Sequence, residues 1–114
     1  MILDGIFGNK TASKVLLHLF HYNEIHSAAI ANDYGVAVTP IRMQLERFEK
    51  AGILVAKNVG RTRVFSFNQK SPFIKPIKAI LEIFYNSLTI EEKEKIFSTR
   101  RRPRQKGKPV YERT

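Results

Sequence analysis

The sequence predicts a single domain of the α+β class that is mainly helical, with three helices, a two-stranded hairpin and two further helices. Apolar residues recur with the period of a helix up to residue 52. β-branched and aromatic residues then dominate residues 53–68, around a turn that contains glycine. The helical period returns from residue 73. Because 114 residues suit one modest core, we expect one domain over residues 1–98 and a tail over 99–114.

The first two helices are predicted by capping residues and apolar stripes. Asn9 suits the N-cap of a helix that runs to about Tyr22. The apolar stripe of this helix comprises Val15, Leu16, Leu19 and Phe20. Ser27 suits the cap of a shorter helix over residues 28–34. Gly35 follows where the chain must stop and turn, a position that favours a positive φ angle.

A third helix is predicted over residues 39–51. Thr39 suits its N-cap and Pro40 its first position, where a missing N–H costs nothing, and Gly52 ends it. Its apolar stripe comprises Ile41, Leu45 and Phe48. Two helices joined by a short turn have the spacing of a helix-turn-helix. Met43 lies about 180° from the stripe, on a face that a surface helix normally turns to water.

The third helix is followed by a predicted hairpin with a basic tip. Its strands are expected over residues 53–59 and 63–68, with Gly60 in the turn between them. Arg61 and Arg63 stand at the tip. Lys57 lies on the approaching strand. We call residues 58–63 the wing.

Beyond the wing, the sequence predicts one long and one short helix. Pro76 disfavours an earlier start, so the long helix is expected over about 75–88. Its apolar residues cover more than one face, so we expect it to pair with a second copy of the chain; the alternative is that it only closes its own core. The expected contacts are Ile77, Ile80, Leu81 and Phe84. Thr89 and Glu92 form a capping box for a last helix that ends at Phe97.

The net charge of +10 is unevenly distributed. Residues 100–114 hold seven basic side chains and one acidic side chain, a net +6, which leaves +4 for the first 99 residues. The basic residues expected to act electrostatically are Arg100, Arg101, Arg102, Arg104, Lys106 and Lys108. Like charges with proline, glycine and few apolar residues predict a segment that is disordered when free. The charge predicts a polyanionic partner, most often nucleic acid, and the alternative is a tail that serves only solubility.

Several classes of function find no support in the sequence. The chain has no cysteine, no apolar run near the roughly 20 residues of a membrane helix and no signal peptide, so we expect a cytoplasmic, nucleoid-associated protein without a membrane partner. It has none of the common catalytic motifs, so we expect no enzyme. His18, His21 and His26 lack a cluster of metal ligands beside them, so we expect no metal, cofactor or small-molecule ligand.

The stretch AAIANDYGVAVTPIRMQLERFEKAGIL, residues 28–54, combines small residues, Gly-Val, polar positions, spaced leucine and Ala-Gly-Ile-Leu. IFGNKTASKVLLHL precedes it, and NQKSPFIKPIKAILE follows the wing. Together they resemble the winged helix-turn-helix regulators of ArsR- and MarR-like type. The resemblance implies a winged helix-turn-helix fold, double-stranded DNA as partner, a homodimer, and the third helix in the major groove.

The resemblance also implies roles for individual side chains. The base-reading residues would be Val38, Thr39, Pro40, Arg42 and Met43. The residues on phosphates or in the minor groove would be Arg47, Lys50, Lys57, Arg61 and Arg63. As alternatives, Met43 packs on a neighbouring subunit or is simply exposed, and the wing charges only protect a sheet edge.

We therefore expect sequence-specific binding of double-stranded DNA by a homodimeric transcriptional regulator. One alternative is a winged-helix adaptor that uses its basic tail on RNA or on a partner protein. Another is an architectural protein with little sequence preference.

Overall fold

The computed structural model describes residues 1–98, which form six helices and a three-stranded sheet. In chain order the elements are α1 (Ile2–Phe7), α2 (Lys10–Tyr22), β1 (Glu24–His26), α3 (Ser27–Tyr34), α4 (Val38–Lys50), β2 (Leu54–Val59), β3 (Thr62–Phe67), α5 (Ile74–Asn86) and α6 (Ile90–Ile96). The predicted class, α+β and mainly helical, is confirmed. The predicted basic tail, residues 99–114, lies outside the described residues.

The predicted starts of α2 and α6 are confirmed by their capping bonds. Asn9 Oδ1 accepts a hydrogen bond from the backbone N–H of Ala12 at 2.7 Å. In α6 the N–H of Glu92 donates to Thr89 Oγ1 at 3.1 Å, and the N–H of Thr89 donates to Glu92 Oε1 at 2.8 Å. These bonds satisfy N–H groups that the helix itself leaves without a partner.

The caps predicted for the helix-turn-helix were wrong by one or two residues. Ser27 is the first residue of α3 rather than its cap, and α4 begins at Val38 rather than at Pro40. Thr39 therefore lies inside the first turn of α4. Pro40 is tolerated at the third position because the first four N–H groups of a helix have no intrahelical partner.

Two glycines in left-handed backbone bound the segment that contains α4. Gly35 after α3 has φ 65°, and Gly52 after α4 has φ 81°. The N–H of Ile53 bonds to the carbonyl of Phe48 at 2.9 Å, and that of Gly52 bonds to the carbonyl of Glu49 at 3.0 Å. This pair of bonds is a Schellman motif. Because a side chain would strain either glycine position, these residues fix how the chain enters and leaves α4.

The wing is the tip of the hairpin formed by β2 and β3, and a strand that the sequence did not predict extends the sheet of this hairpin. β3 is central, with β1 and β2 antiparallel on either side. Val59 pairs with Thr62, so only Gly60 and Arg61 form the turn. β1 was missed because its three residues contribute a single buried side chain, Ile25, which is too little for an alternating pattern.

The core surrounds α2, which is buried along most of its length. The completely buried large side chains include Leu3 of α1, Leu16, Leu17 and Leu19 of α2, Ile30 of α3, Ile41 and Leu45 of α4, Phe65 of β3 and Leu81 of α5. Burial of Ile41 and Leu45 fixes the inner face of α4 and leaves the opposite face outward. Within residues 1–98, no helix is long and apolar enough to cross a membrane.

Candidate nucleic-acid interface

Helix α4 has one face in the core and one face on the surface. Ile41, Gln44 and Leu45 are only 1%, 7% and 0% exposed. Arg42 and Met43 are exposed on the other side, Met43 to 58%. A guanidinium can bond both acceptors of a guanine edge, and an apolar side chain beside it can contact a thymine methyl. The exposed face of α4 therefore carries side chains that can discriminate between base pairs.

The other predicted base-reading residues lie in the first turn of α4. Thr39 and Pro40 are exposed, whereas Val38 is half-buried and packs against the core. Val38 therefore presents only part of its side chain outward. In helix-turn-helix proteins, residues near the N-terminus of the recognition helix contact base edges, so the exposed part of this turn is well placed for that role.

Arg47 and Lys50 extend the basic surface along the last turn of α4. Both are exposed, and Arg47 Nη1 donates to Gln44 Oε1 at 3.3 Å, which holds the guanidinium along its own helix. Arg47 and Lys50 lie further along α4 than the predicted base-reading residues. This position suits phosphate contacts, which fix the orientation of a protein on a duplex.

Three cations were predicted on the wing and its approaching strand. Two of them form ion pairs within the chain. Arg63 Nη2 lies 2.6 Å from Glu49 Oε2 of α4, and Lys57 Nζ lies 2.9 Å from Glu24 Oε2 of β1. Exposed pairs of this kind contribute at most about 1 kcal/mol, so DNA phosphates can compete for both cations. Arg61 is exposed in the two-residue turn at the tip.

The pair between Arg63 and Glu49 links the wing to α4. It joins residues 14 positions apart in the sequence. From the sequence, Arg63 is predicted to contact DNA, and no role is predicted for Glu49. Only the fold brings the two together, because β2 packs against α4 and β3 returns beside β2 after the two-residue turn.

His18 is buried in the centre of α2 and pairs with a carboxylate of α3. Its Nε2 lies 2.8 Å from Asp33 Oδ2, and both side chains are 0% exposed. Burial lowers the pKa of His18, while the bond to Asp33 opposes this shift. The second oxygen of Asp33 accepts a hydrogen bond from Ser98 Oγ at 2.9 Å. His18 is thus a buried core histidine that is paired with Asp33 through its Nε2.

Five aromatic rings surround the His18 pair at the junction of α2, α3, α5 and the end of α6. They belong to His21, Tyr22, Tyr34, Tyr85 and Phe97. His21 Nδ1 lies 2.8 Å from Tyr85 Oη. Burial lowers the pKa of His21 to about 4, and the positive charge of Lys93 adds to this shift. Among residues 1–98, no three His, Cys, Asp or Glu side chains stand close enough to hold a metal ion.

Helix α5 packs part of the predicted dimer surface against the core of its own chain. Leu81 is 0% exposed in the core of its own chain, so it cannot contact a second chain. The other three predicted contacts are half-buried against the same core: Ile77, Ile80 and Phe84. Ile83, in contrast, is 74% exposed. Pro76 and Ala79 are also exposed and lie seven and four residues before Ile83, respectively, so these three side chains form one outward stripe.

Solved structures share this arrangement of helices and wing. The AntR antimony-specific transcriptional repressor matches with a TM-score of 0.58 and 17% identity, over 75% of this chain and 76% of that one. AdcR, the adhesin competence repressor of Streptococcus pyogenes, matches with a TM-score of 0.57 and 13% identity, over 75% and 65%. The YusO protein of Bacillus subtilis matches with a TM-score of 0.51 and 17% identity, over 74% and 65%.

These likenesses define the class of the molecule by its fold. The chain has the winged helix-turn-helix fold, as the sequence predicted. No protein-family model matches the sequence, and no curated protein matches it. The chain spans about two thirds (65%) of the YusO and AdcR chains.

Proposed function

We propose that this protein binds double-stranded DNA in a sequence-specific manner as a homodimeric transcriptional regulator, with α4 in the major groove. The observation that carries the proposal is the exposed pair Arg42 and Met43, on the face of α4 opposite its buried residues. The fold supports it, because two solved structures with this fold are named repressors.

Base recognition is assigned to the outward residues of α4. Arg42 bonds a guanine through its O6 and N7 atoms. Met43 and Pro40 contact thymine methyl groups, and Thr39 bonds a base or a phosphate. Val38 contributes least, because it is half-buried against the core.

Phosphate binding is assigned to the wing and the last turn of α4. Arg61 at the tip reaches the minor groove or its flanking phosphates, as arginines on thin hairpins do. Arg47 and Lys50 contact phosphates beside the recognition helix. Lys57 and Arg63 join them by exchanging their carboxylate partners for phosphates.

Dimerisation is assigned to the outward stripe of α5. Ile83 is its largest aliphatic side chain and is 74% exposed, and an apolar side chain of this size would gain free energy by leaving water. Ile77, Ile80 and Phe84 flank the stripe where they emerge from the core. Two recognition helices related by a two-fold axis would then read a pseudo-palindromic site.

The decisive experiment is selection of bound duplexes from a random DNA pool by the natural full-length chain. We expect enrichment of a motif with two-fold symmetry and half-sites about 10 base pairs apart, or a multiple of that spacing. A pool that stays random after several rounds would contradict sequence-specific binding and would favour the adaptor or the architectural protein.

A further inference from the structure

The C-terminal helix α6 reaches the rest of the domain mainly through the residue that follows it. None of the residues of α6 is buried. Phe97 stacks on His21 with ring centroids 4.0 Å apart and an angle of 5° between the planes. Its centroid also lies 4.9 Å from that of His18 and 5.8 Å from that of Tyr85. Phe97 therefore occupies a site formed by α2 and α5.

Ser98, the residue after Phe97, bonds to the helix-turn-helix. Its Oγ donates to Asp33 Oδ1 at 2.9 Å, and Asp33 is held in turn by His18. Asp33 lies in the last turn of α3, two residues before Gly35 and the turn into α4. The hydrogen bond therefore places residue 98 against the first helix of the helix-turn-helix. We call Phe97 and Ser98 the anchor.

The basic segment begins directly after the anchor. Residues 99–114 carry seven basic side chains and one acidic side chain, and the first arginine is Arg100. At about 3.4 Å per residue, sixteen residues reach at most about 55 Å, which exceeds the roughly 34–36 Å of one turn of DNA. Cations that start beside α3 can therefore reach phosphates on both sides of a site occupied by α4.

We propose that the anchor holds the start of the basic segment at α3, so that its cations act on the same DNA that α4 reads. This inference rests on the proposed DNA-binding function. Without the anchor, the segment would be attached to the core only through α6 and the end of α5 at Asn86, a connection that is about twelve residues longer. A longer flexible connection lowers the effective concentration of the cations at the duplex roughly as the −3/2 power of its length.

The test compares Phe97→Ala in two full-length backgrounds. The first is the natural chain, and the second has its segment neutralised by changing Arg100, Arg101, Arg102, Arg104, Lys106 and Lys108 to Gln, which leaves Arg113 against Glu112. Affinity for one duplex of about 25 base pairs is measured by fluorescence anisotropy. With the length dependence above, we expect Phe97→Ala to weaken binding about two- to fivefold in the natural background. We expect no change in the neutralised background, because the segment that the anchor positions then has no net charge.

Two further variants keep the test interpretable. Phe73→Ala removes a phenylalanine that is 64% exposed and lies outside the cluster, and we expect it to leave affinity unchanged. Ser98→Ala removes only the bond to Asp33 and should weaken binding in the same direction as Phe97→Ala, by a smaller factor. If circular dichroism shows that Phe97→Ala has lost helix, Ser98→Ala in both backgrounds decides the question.

The remaining outcomes overturn the inference. An equal loss of affinity in both backgrounds would show that Phe97 supports the helix-turn-helix itself. No loss in either background would show that the anchor has no part in binding. If neutralisation weakens binding to single-stranded RNA and leaves the duplex affinity unchanged, the segment serves RNA, and the proposed function of α4 still stands. If the natural chain binds no duplex, the proposed function fails first.

Discussion

Arg42 and Met43 occupy adjacent positions on α4, and their exposure has a simple cause. The side chains of Ile41 and Leu45 fix which face of the helix enters the core. A residue one or two positions from Ile41 is rotated by about 100° or 200° from it and must point away. Exposure of the apolar side chain of Met43 to water is therefore unfavourable. In the proposed function, a contact with a thymine methyl removes this side chain from water.

Arg42→Ala is expected to separate base recognition from general affinity. Loss of a bidentate guanine contact should cost about 1–3 kcal/mol on a selected site and relax the base preference at one position. Arg61→Ala is the matched control, since it removes an arginine at the wing tip and should weaken selected and random duplexes alike. Titrations of both variants on both duplexes check this. An Arg42→Ala chain with unchanged affinity and preference would show that the recognition residue is misassigned.

Acid is expected to destabilise the aromatic cluster through His21. Its pKa in the folded chain is about 4, below the ordinary value of 6.5, so the folded state binds fewer protons than the unfolded state between these values. The resulting stability is fully present above about pH 6.5 and is lost as the pH falls towards 4. His18, whose pKa is also lowered by burial, acts in the same direction.

The measurement is the free energy of unfolding by urea between pH 7.5 and 4.5. His21→Gln should lower stability at neutral pH and flatten the pH dependence, because glutamine does not titrate. An undiminished slope in His21→Gln would assign the acid sensitivity to other groups.

At the scale of elements, the wing and α4 form one unit because Arg63 bonds to Glu49. The pair restrains the angle between hairpin and helix, and it also holds a cation that phosphate could use. These two effects have opposite consequences for DNA binding. A variant that lacks the Glu49 carboxylate shows which of the two effects is larger.

Glu49→Gln is expected to tighten duplex binding, since an exposed ion pair is worth at most about 1 kcal/mol whereas the released Arg63 gains a phosphate partner. Glu46→Gln is the control, because it removes one exposed negative charge of α4 and leaves the Arg63 pair intact. The larger gain should belong to Glu49→Gln at low salt. Weaker binding by Glu49→Gln would mean that the pair serves to position the wing.

Ile83→Glu is expected to dissociate the proposed dimer without unfolding the chain. Ile83 is 74% exposed, so a charge there costs the monomer little, whereas a charge buried between two chains is unfavourable. Ile80→Glu or Phe84→Glu would also disturb the core. Ile90→Glu, at a position 73% exposed on α6, is the control. Sedimentation should show a dimer for the natural chain and the control, and a monomer for Ile83→Glu. A natural chain that sediments as a monomer at micromolar concentration contradicts the assignment.

Element types were predictable wherever the pattern was long, and side-chain partners were not. The helical period around Leu16 and Leu45 spans several turns, so it identified α2 and α4. The sequence does not show which face of α5 packs against α2. This packing buries Leu81 and leaves Ile83, two residues later, exposed. The pair of His18 and Asp33 joins residues 15 positions apart, so only the packing of α2 on α3 reveals it.

At the scale of the whole molecule, charge is divided between the folded domain and the segment that follows it. Residues 1–98 hold 13 basic and 9 acidic side chains, a net +4, and residues 99–114 hold a net +6. Two cations of the domain are already paired with carboxylates in the wing sheet and α4. Most of the long-range attraction to a polyanion should therefore come from the segment.

Removing four positive charges from the segment is expected to reduce the salt dependence of duplex binding. Each phosphate neutralised by a cation contributes about −0.9 to the slope of log affinity against log salt, through release of condensed counterions. With Arg100, Arg101, Arg102 and Arg104 changed to Gln, the slope should become shallower by up to about 3.6 per chain. Thermal stability should change little, because a segment of like charges with proline, glycine and few apolar residues has little to bury.

The control must lose the same charge from another part of the surface. Changing the exposed residues Lys10, Lys70, Lys75 and Lys95 to Gln also lowers the net charge from +10 to +6 and leaves the segment intact. If net charge alone governs binding, the two variants will show the same slope. If the segment contacts the duplex, the slope of the arginine variant will be the shallower of the two. Equal slopes for the natural chain and the arginine variant would mean that the segment does not touch DNA, and the adaptor function would then be the better account of it.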